Sequence, residues 1–279
     1  MSYVVIETTV GFLLVSGLPL AGGGSLSSDV WATCISLLIA TGLSLSWLEN
    51  HPSAGPRVHR STACWSDVWL DRQAARPGAI ALGFGMGALA IALPTAALTA
   101  GHWLARVPGD PSSWIGGALR VSVALLPAAL AEELLARGYI LSILVRWWGW
   151  PWAIATTSLA FGALHMRNPG ATVESITLVT IAGVFLCAVL FATRSLYAAW
   201  AAHFAWNWTM AVVFHVSVSG IPFLSPHYRY VDAGPDWATG GTWGPEGGLP
   251  AALTMIAGSV WLFSRRGRVG LLSRSTGES

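Results

Sequence analysis

Residues 131–137 read Ala-Glu-Glu-Leu-Leu-Ala-Arg and set two adjacent carboxylates and a guanidinium inside a long apolar stretch. A charge in hydrocarbon costs about 2.5–3.5 kcal/mol on insertion scales. A chain keeps such charges when they are paired, face a wet cavity, or do chemistry. Glu133 and Arg137 stand four apart with the acid first, the better orientation for a helical ion pair. Glu132 points about 100° round the helix from Glu133 and has no local partner. A carboxylate in that position can take up and return a proton. Two further polar motifs lie in apolar stretches, Phe161-Gly-Ala-Leu-His165 and His203-Phe-Ala-Trp-Asn207. Four-residue spacing puts His203 and Asn207 on one helix face. A carboxylate with an imidazole can activate water, while amide and ring N–H groups can hold a developing negative charge. No serine or cysteine stands where it would be an obvious nucleophile.

For these groups to act together they must sit at one depth. At roughly 1.5 Å per residue, Glu132 lies ~21 Å from Arg146, His165 ~21 Å from Pro151, and Asn207 ~20 Å from Arg194. His203 is one turn shallower. Tilt or a kink, with Pro127 as one cause, would adjust these depths. Each group also has a plain structural reading. Glu133–Arg137 is foremost a bracing ion pair, Phe161 packs, His165 could be a packed histidine, and His203 with Asn207 could make interhelical hydrogen bonds. What lifts them above that reading is their occurrence together, in order, at matched depth. His51, His59, His102, His215 and His227 lie in loops or near span ends and receive no role.

The elements that must position these groups are membrane helices. The 279 residues are 54% hydrophobic and 10% charged, against about one-quarter charged in soluble domains. Several apolar runs approach or exceed the roughly 20 residues that cross a bilayer. The expected fold is all-α, a polytopic membrane bundle of about eight transmembrane helices. The expected spans cover residues 3–20, 30–48, 78–104, 120–146, 151–166, 172–191, 196–218 and 249–263. The first apolar run lacks the basic flank and cleavage site of a signal peptide and reads as a span. Residues 147–152, Trp-Trp-Gly-Trp-Pro-Trp, read as a tight turn at a membrane interface. Residues 64–70 are expected at the membrane surface. The chain divides into N-terminal helices with a cytoplasmic loop (1–119), a core carrying the motifs (120–218), and a Gly/Trp-rich loop, last helix and basic tail (219–279). There is no internal repeat.

All fifteen cations are arginine. Their distribution favours both termini in the cytoplasm, with residues 57, 60, 72, 76, 137, 146, 194, 265, 266, 268 and 274 inside or on the inner half and 106, 120, 167 and 229 outside or on the outer half. No basic block suggests nucleic acid. Cys34, Cys64 and Cys187 are scattered, which argues against a disulfide framework or a thiolate zinc site.

The ordered set Glu132-Glu133-x-x-x-Arg137, Phe161-x-x-x-His165 and His203-x-x-x-Asn207 resembles the CPBP (Abi) family of intramembrane proteases, which includes type II CAAX prenyl endopeptidases and bacteriocin-processing relatives. The resemblance covers about residues 127–210, and every motif position matches. It implies an eight-helix, CAAX type II protease-like fold and hydrolysis of a peptide bond near the membrane-anchored end of a protein or peptide substrate. By the same resemblance, Glu132 and His165 would hold and activate water, His203 and Asn207 would stabilise the oxyanion, and Glu133 and Arg137 would brace the site.

No cofactor is favoured. Zinc is the alternative, with Glu132, His165 and His203 as its ligands, although the HExxH spacing is absent. The rival functions are a non-catalytic membrane scaffold or maturation factor and a proton-coupled transporter, the latter lacking inverted repeats and paired broken helices. The expected setting is the cell membrane of a bacterium or archaeon. The sequence leaves open the substrate, the oligomeric state and the side on which the site opens. The loop at residues 234–248 is expected to be a plain connection, with gating or substrate binding as the alternative.

Overall fold

The computed structural model describes residue 39, residues 65–223 and residues 226–275, with side chains to residue 265. The first two expected spans lie outside the described residues except for Ile39, which is helical. The other six are all helical. Helix α1 is Pro77–Ala100, α2 is Trp114–Glu133, and a π-helical segment, Leu134–Ile140, runs on into α3, Leu141–Leu164. Helix α4 is Val173–Thr193, α5 is Leu196–Trp208 with a second π-helical segment at Thr209–Phe214, and α6 is Leu249–Ser275. Among the described residues, three helical runs are long and apolar enough to cross a membrane, Pro77–Ala100, Trp114–Arg167 and Val173–Thr193, beside the shorter apolar Leu249–Arg265.

Local chemistry sets the boundaries. Pro77 opens α1, where its missing N–H costs nothing. Ser113 and Ser195 cap α2 and α5 through their hydroxyls, and Thr172 with Ser175 forms a reciprocal capping box on α4. Arg194 takes a left-handed conformation, φ 53°, and turns the chain from α4 directly into α5. The long run from α2 to α3 reverses at Gly149, whose φ of 77° and ψ of 171° are open to glycine. The tight tryptophan turn expected there is present.

Some boundaries depart from expectation. Helix α1 stops at Ala100, and Leu104 instead begins a strand. Strand β1, Leu104–Pro108, pairs antiparallel with β2, Tyr228–Asp232. A purely helical fold is therefore corrected to a mostly helical one carrying a two-stranded ribbon. The alternation Tyr-Arg-Tyr-Val in β2 suits a ribbon, and Pro108 is tolerated at its end.

Helix α5 is the axis of the bundle. Ala198, Ala199, Ala202 and Ala205 are all 0% exposed. On one side α5 meets α1 at backbone distance, because a Cβ on Gly83 or Gly87 would overlap the carbonyls of Ala198 and Ala202. This is small-residue packing, in which close approach supplies the contact energy. Across the bundle, a Cβ on Gly162 of α3 would strike Thr180 of α4. One end gathers Arg146 against Asp67 at 2.7 Å, Arg76 on the Thr193 carbonyl at 2.7 Å, and Arg194 over Trp150. The ribbon, with Arg106 and Arg229, belongs to the other.

Gly87→Val should cost about 1–3 kcal/mol by overpacking, read as a lowered Tm in detergent. Gly85→Ala, where a Cβ meets nothing within 4 Å, should leave Tm unchanged or slightly raised. Equal effects at the two positions would contradict this packing.

Candidate active site

Three helices deliver the polar groups to one place. Glu133 and Arg137, both with 0% exposed side chains, pair at 2.8 Å through Oε1 and Nη1. The pair is maintained although the backbone has passed from α to π geometry between the two residues. The guanidinium also lies over the Phe161 ring, 4.0 Å from its centroid. Phe161 therefore packs, as expected, and packs against a charge. Glu133 Oε1 accepts a second hydrogen bond, from His203 Nδ1 at 2.9 Å. A paired acid thus orients a ring on another helix.

Glu132 projects elsewhere. Its Oε2 lies 3.8 Å from His165 Nε2 and 3.9 Å from His203 Nε2. This oxygen is buried and has no hydrogen-bond partner among the described residues, although the side chain as a whole is 38% exposed. His165 opens a 3-10 turn, His165–Arg167, at the end of α3, and its Nδ1 donates to the Phe161 carbonyl at 2.8 Å. A carbonyl can only accept, so the proton on that ring nitrogen is fixed. Both imidazoles therefore commit Nδ1–H to an outer partner and direct Nε2 towards Glu132.

Asn207, one turn beyond His203, lines a cavity together with Phe161, His165 and His203. Its volume is about 30 Å³, room for on the order of two waters. The expected site residues Glu132, His165 and His203 thus meet within 4 Å, with Asn207 on the adjoining cavity, and Glu133 and Arg137 directly behind His203. His102, His215 and His227 lie elsewhere. Buried His215 packs edge-on to Tyr228, ring centroids 4.7 Å apart.

The same cavity is lined by two residues that sequence reasoning missed, Ser219 and Glu246. Glu246 belongs to the Gly/Trp-rich loop. The available signal was an acid set among Gly244, Pro245, Gly247 and Gly248, in a loop that also carries Asp236 and two tryptophans. Its partners are distant in sequence, so no local spacing reveals it.

A family model described as type II CAAX prenyl endopeptidase Rce1-like matches residues 111–209. The segment is similar to the CPBP family of intramembrane proteases. The match covers roughly a third of the chain and contains all three motifs. It supports a peptidase that is an integral membrane protein. No curated protein and no solved structure matches the chain. Helix α1, the ribbon, the Gly/Trp-rich loop and α6 lie outside the matched residues.

The buried ion pair generates a stability prediction. Arg137→Gln strands the Glu133 charge and should cost about 3–5 kcal/mol, seen as a large fall in Tm in detergent. Replacing both partners, Glu133→Leu with Arg137→Met, should recover much of that loss. A double variant no more stable than Arg137→Gln would contradict the stranded-charge account.

Proposed function

We propose that the protein is a glutamate-dependent intramembrane endopeptidase that hydrolyses a peptide bond near the membrane-anchored end of a protein or peptide substrate. The observation that carries this reading is the convergence of Glu132, His165 and His203, from separate motifs, on one oxygen atom beside a cavity lined by Asn207.

Distances of 3.8 and 3.9 Å exceed a direct hydrogen bond and suit one water reaching all three groups. In this reading Glu132 takes a proton from that water as its oxygen bonds to the scissile carbonyl carbon. His165, its ring fixed through Phe161, orients the water. The carbonyl electrons move onto oxygen, where the Asn207 amide donates a hydrogen bond. The intermediate collapses as the C–N bond breaks, and Glu132 returns its proton to the leaving amine. His203 can donate from Nε2 only when both ring nitrogens carry protons, since Nδ1–H already serves Glu133.

The reaction is proposed without a metal. Zinc bonds of about 2.0–2.2 Å need three or four converging ligands. If zinc is bound, Glu132, His165 and His203 would hold it and it would acidify the attacking water; no step here passes through it.

Comparison of protein termini in membranes of cells carrying the wild-type chain or Glu132→Gln, at equal folded levels, tests the proposal. New termini near membrane anchors should appear only with Glu132. Their absence from wild-type cells expressing the chain would count against a peptidase. Against a substrate so identified, Asn207→Ala should slow turnover by about 10²–10³, the usual loss of an oxyanion donor. A zinc chelator should leave turnover unchanged, and inhibition reversed by added zinc would overturn the metal-free reading.

A further inference from the structure

The loop following β2 folds into the site. It makes one helical turn, Asp236–Thr239, then two 3-10 turns, Gly241–Trp243 and Pro245–Gly247. Trp243 is 1% exposed and packs with Ala136, Phe161 and Val179, so it rests on the helices of the first two motifs. Glu246 is 7% exposed and reaches the helix of the third. Its Oε2 accepts from Trp206 Nε1 at 2.7 Å, and Trp206 directly precedes Asn207. Its Oε1 accepts from both the backbone N–H of Ser219, at 2.6 Å, and the Ser219 hydroxyl, at 2.7 Å.

Ser219 is a conformationally expensive residue. It and Gly220 form the centre of a tight turn, with φ of 49° and 80°, closed by reciprocal bonds between Val218 and Ile221. Two positive φ values mark a type I′ turn, which a serine enters reluctantly. Two bonds to one carboxylate offset that cost. The turn is held from its other side by Asn168, whose side-chain N–H donates to the Ser219 carbonyl at 3.0 Å. Asn168 lies three residues after His165. A Cβ on Gly220 would overlap the Pro169 carbonyl, so the contact is at backbone distance. A continuous chain of bonds therefore runs from the turn after His165, through Ser219 and Glu246, to the residue before Asn207.

We infer that Glu246 is a positioning residue: it clamps the Gly/Trp-rich loop as a wall of the cavity and fixes the His165 turn relative to the helix carrying His203 and Asn207. This rests on the hydrolase reading above. Glu246 itself touches no reacting atom in that scheme. A carboxylate is required because all three neighbours are donors. An amide in its place sets an N–H against an N–H in either rotamer.

The isosteric variant Glu246→Gln tests the clamp in the full-length chain in membranes, against the substrate identified by Glu132-dependent termini. It should lower kcat at least tenfold with KM nearly unchanged. Trp206→Phe removes the opposing N–H, so adding it to Glu246→Gln should restore most of the lost kcat. A second readout needs no substrate. With Cys34, Cys64 and Cys187 replaced by alanine, Pro245→Cys puts a thiol in the buried part of the loop, and maleimide should label it slowly. Glu246→Gln should speed labelling at least tenfold, and Trp206→Phe should slow it again. Fast labelling with unchanged kcat would overturn the positioning role and leave a structural joint. Lost kcat with unchanged labelling would overturn it too, since Glu246 would then act on the reaction directly. If no Glu132-dependent termini exist, the hydrolase reading fails and the positioning role with it, while labelling alone reports whether the clamp is real.

Discussion

Everything at this site depends on one arginine buried against one glutamate. The Arg137–Glu133 pair has no exposed surface, and its formation makes a charged acceptor available deep in the bundle. That acceptor is what orients His203 on α5. Burying an isolated carboxylate would be prohibitive, so without Arg137 there would be no fixed negative charge for the ring to address. The guanidinium is held in turn by the face of Phe161, from the helix that carries His165. A single cation thus touches, directly or through one partner, each of the three helices whose side chains converge on Glu132.

Close backbone contact is the second constraint. Helices in lipid gain little from burying apolar surface against one another, so approach distance and hydrogen bonds carry more of the association. Gly83 and Gly87 let α1 meet α5 at the level of Ala198 and Ala202, immediately before His203. Gly162 does the same for α3 and α4, next to Phe161. The polar cluster is therefore framed by glycine contacts on both flanks. Two π-helical segments begin within a residue or two of Glu133 and Asn207. Such segments recur at functional sites, where a widened turn re-aims the side chains that follow.

How much of this was legible in the sequence follows from how far apart the partners lie. Glu133 and Arg137 are one turn apart, so their pairing could be read directly. The meeting of Glu132, His165 and His203 was readable from matched depth, because helix rise is nearly constant. The π segments were not, since apolar residues on a buried helix satisfy either winding. The ribbon was hidden because each strand is five residues long and its partner is more than a hundred residues away. Glu246 was hidden for a related reason: its donors, Trp206 and Ser219, are 40 and 27 residues distant. Composition suggested only that its loop was unusual.

Gly149 gives the bundle its fold line. Glu132 stands 17 residues before it and His165 stands 16 after it. The 54-residue run Trp114–Arg167 would as a straight rod extend ~80 Å, more than twice the hydrocarbon thickness of a bilayer. Creased at one left-handed glycine, it becomes two arms of nearly equal reach, and the carboxylate and the imidazole arrive at the same height. The register of the site is thus written as a count of residues on either side of the crease. One residue gained or lost on either arm would slide its group by ~1.5 Å and swing it by ~100°, turning it from the cavity towards lipid or a neighbouring helix. Substitutions along these arms leave the count intact, whereas a single-codon insertion or deletion does not.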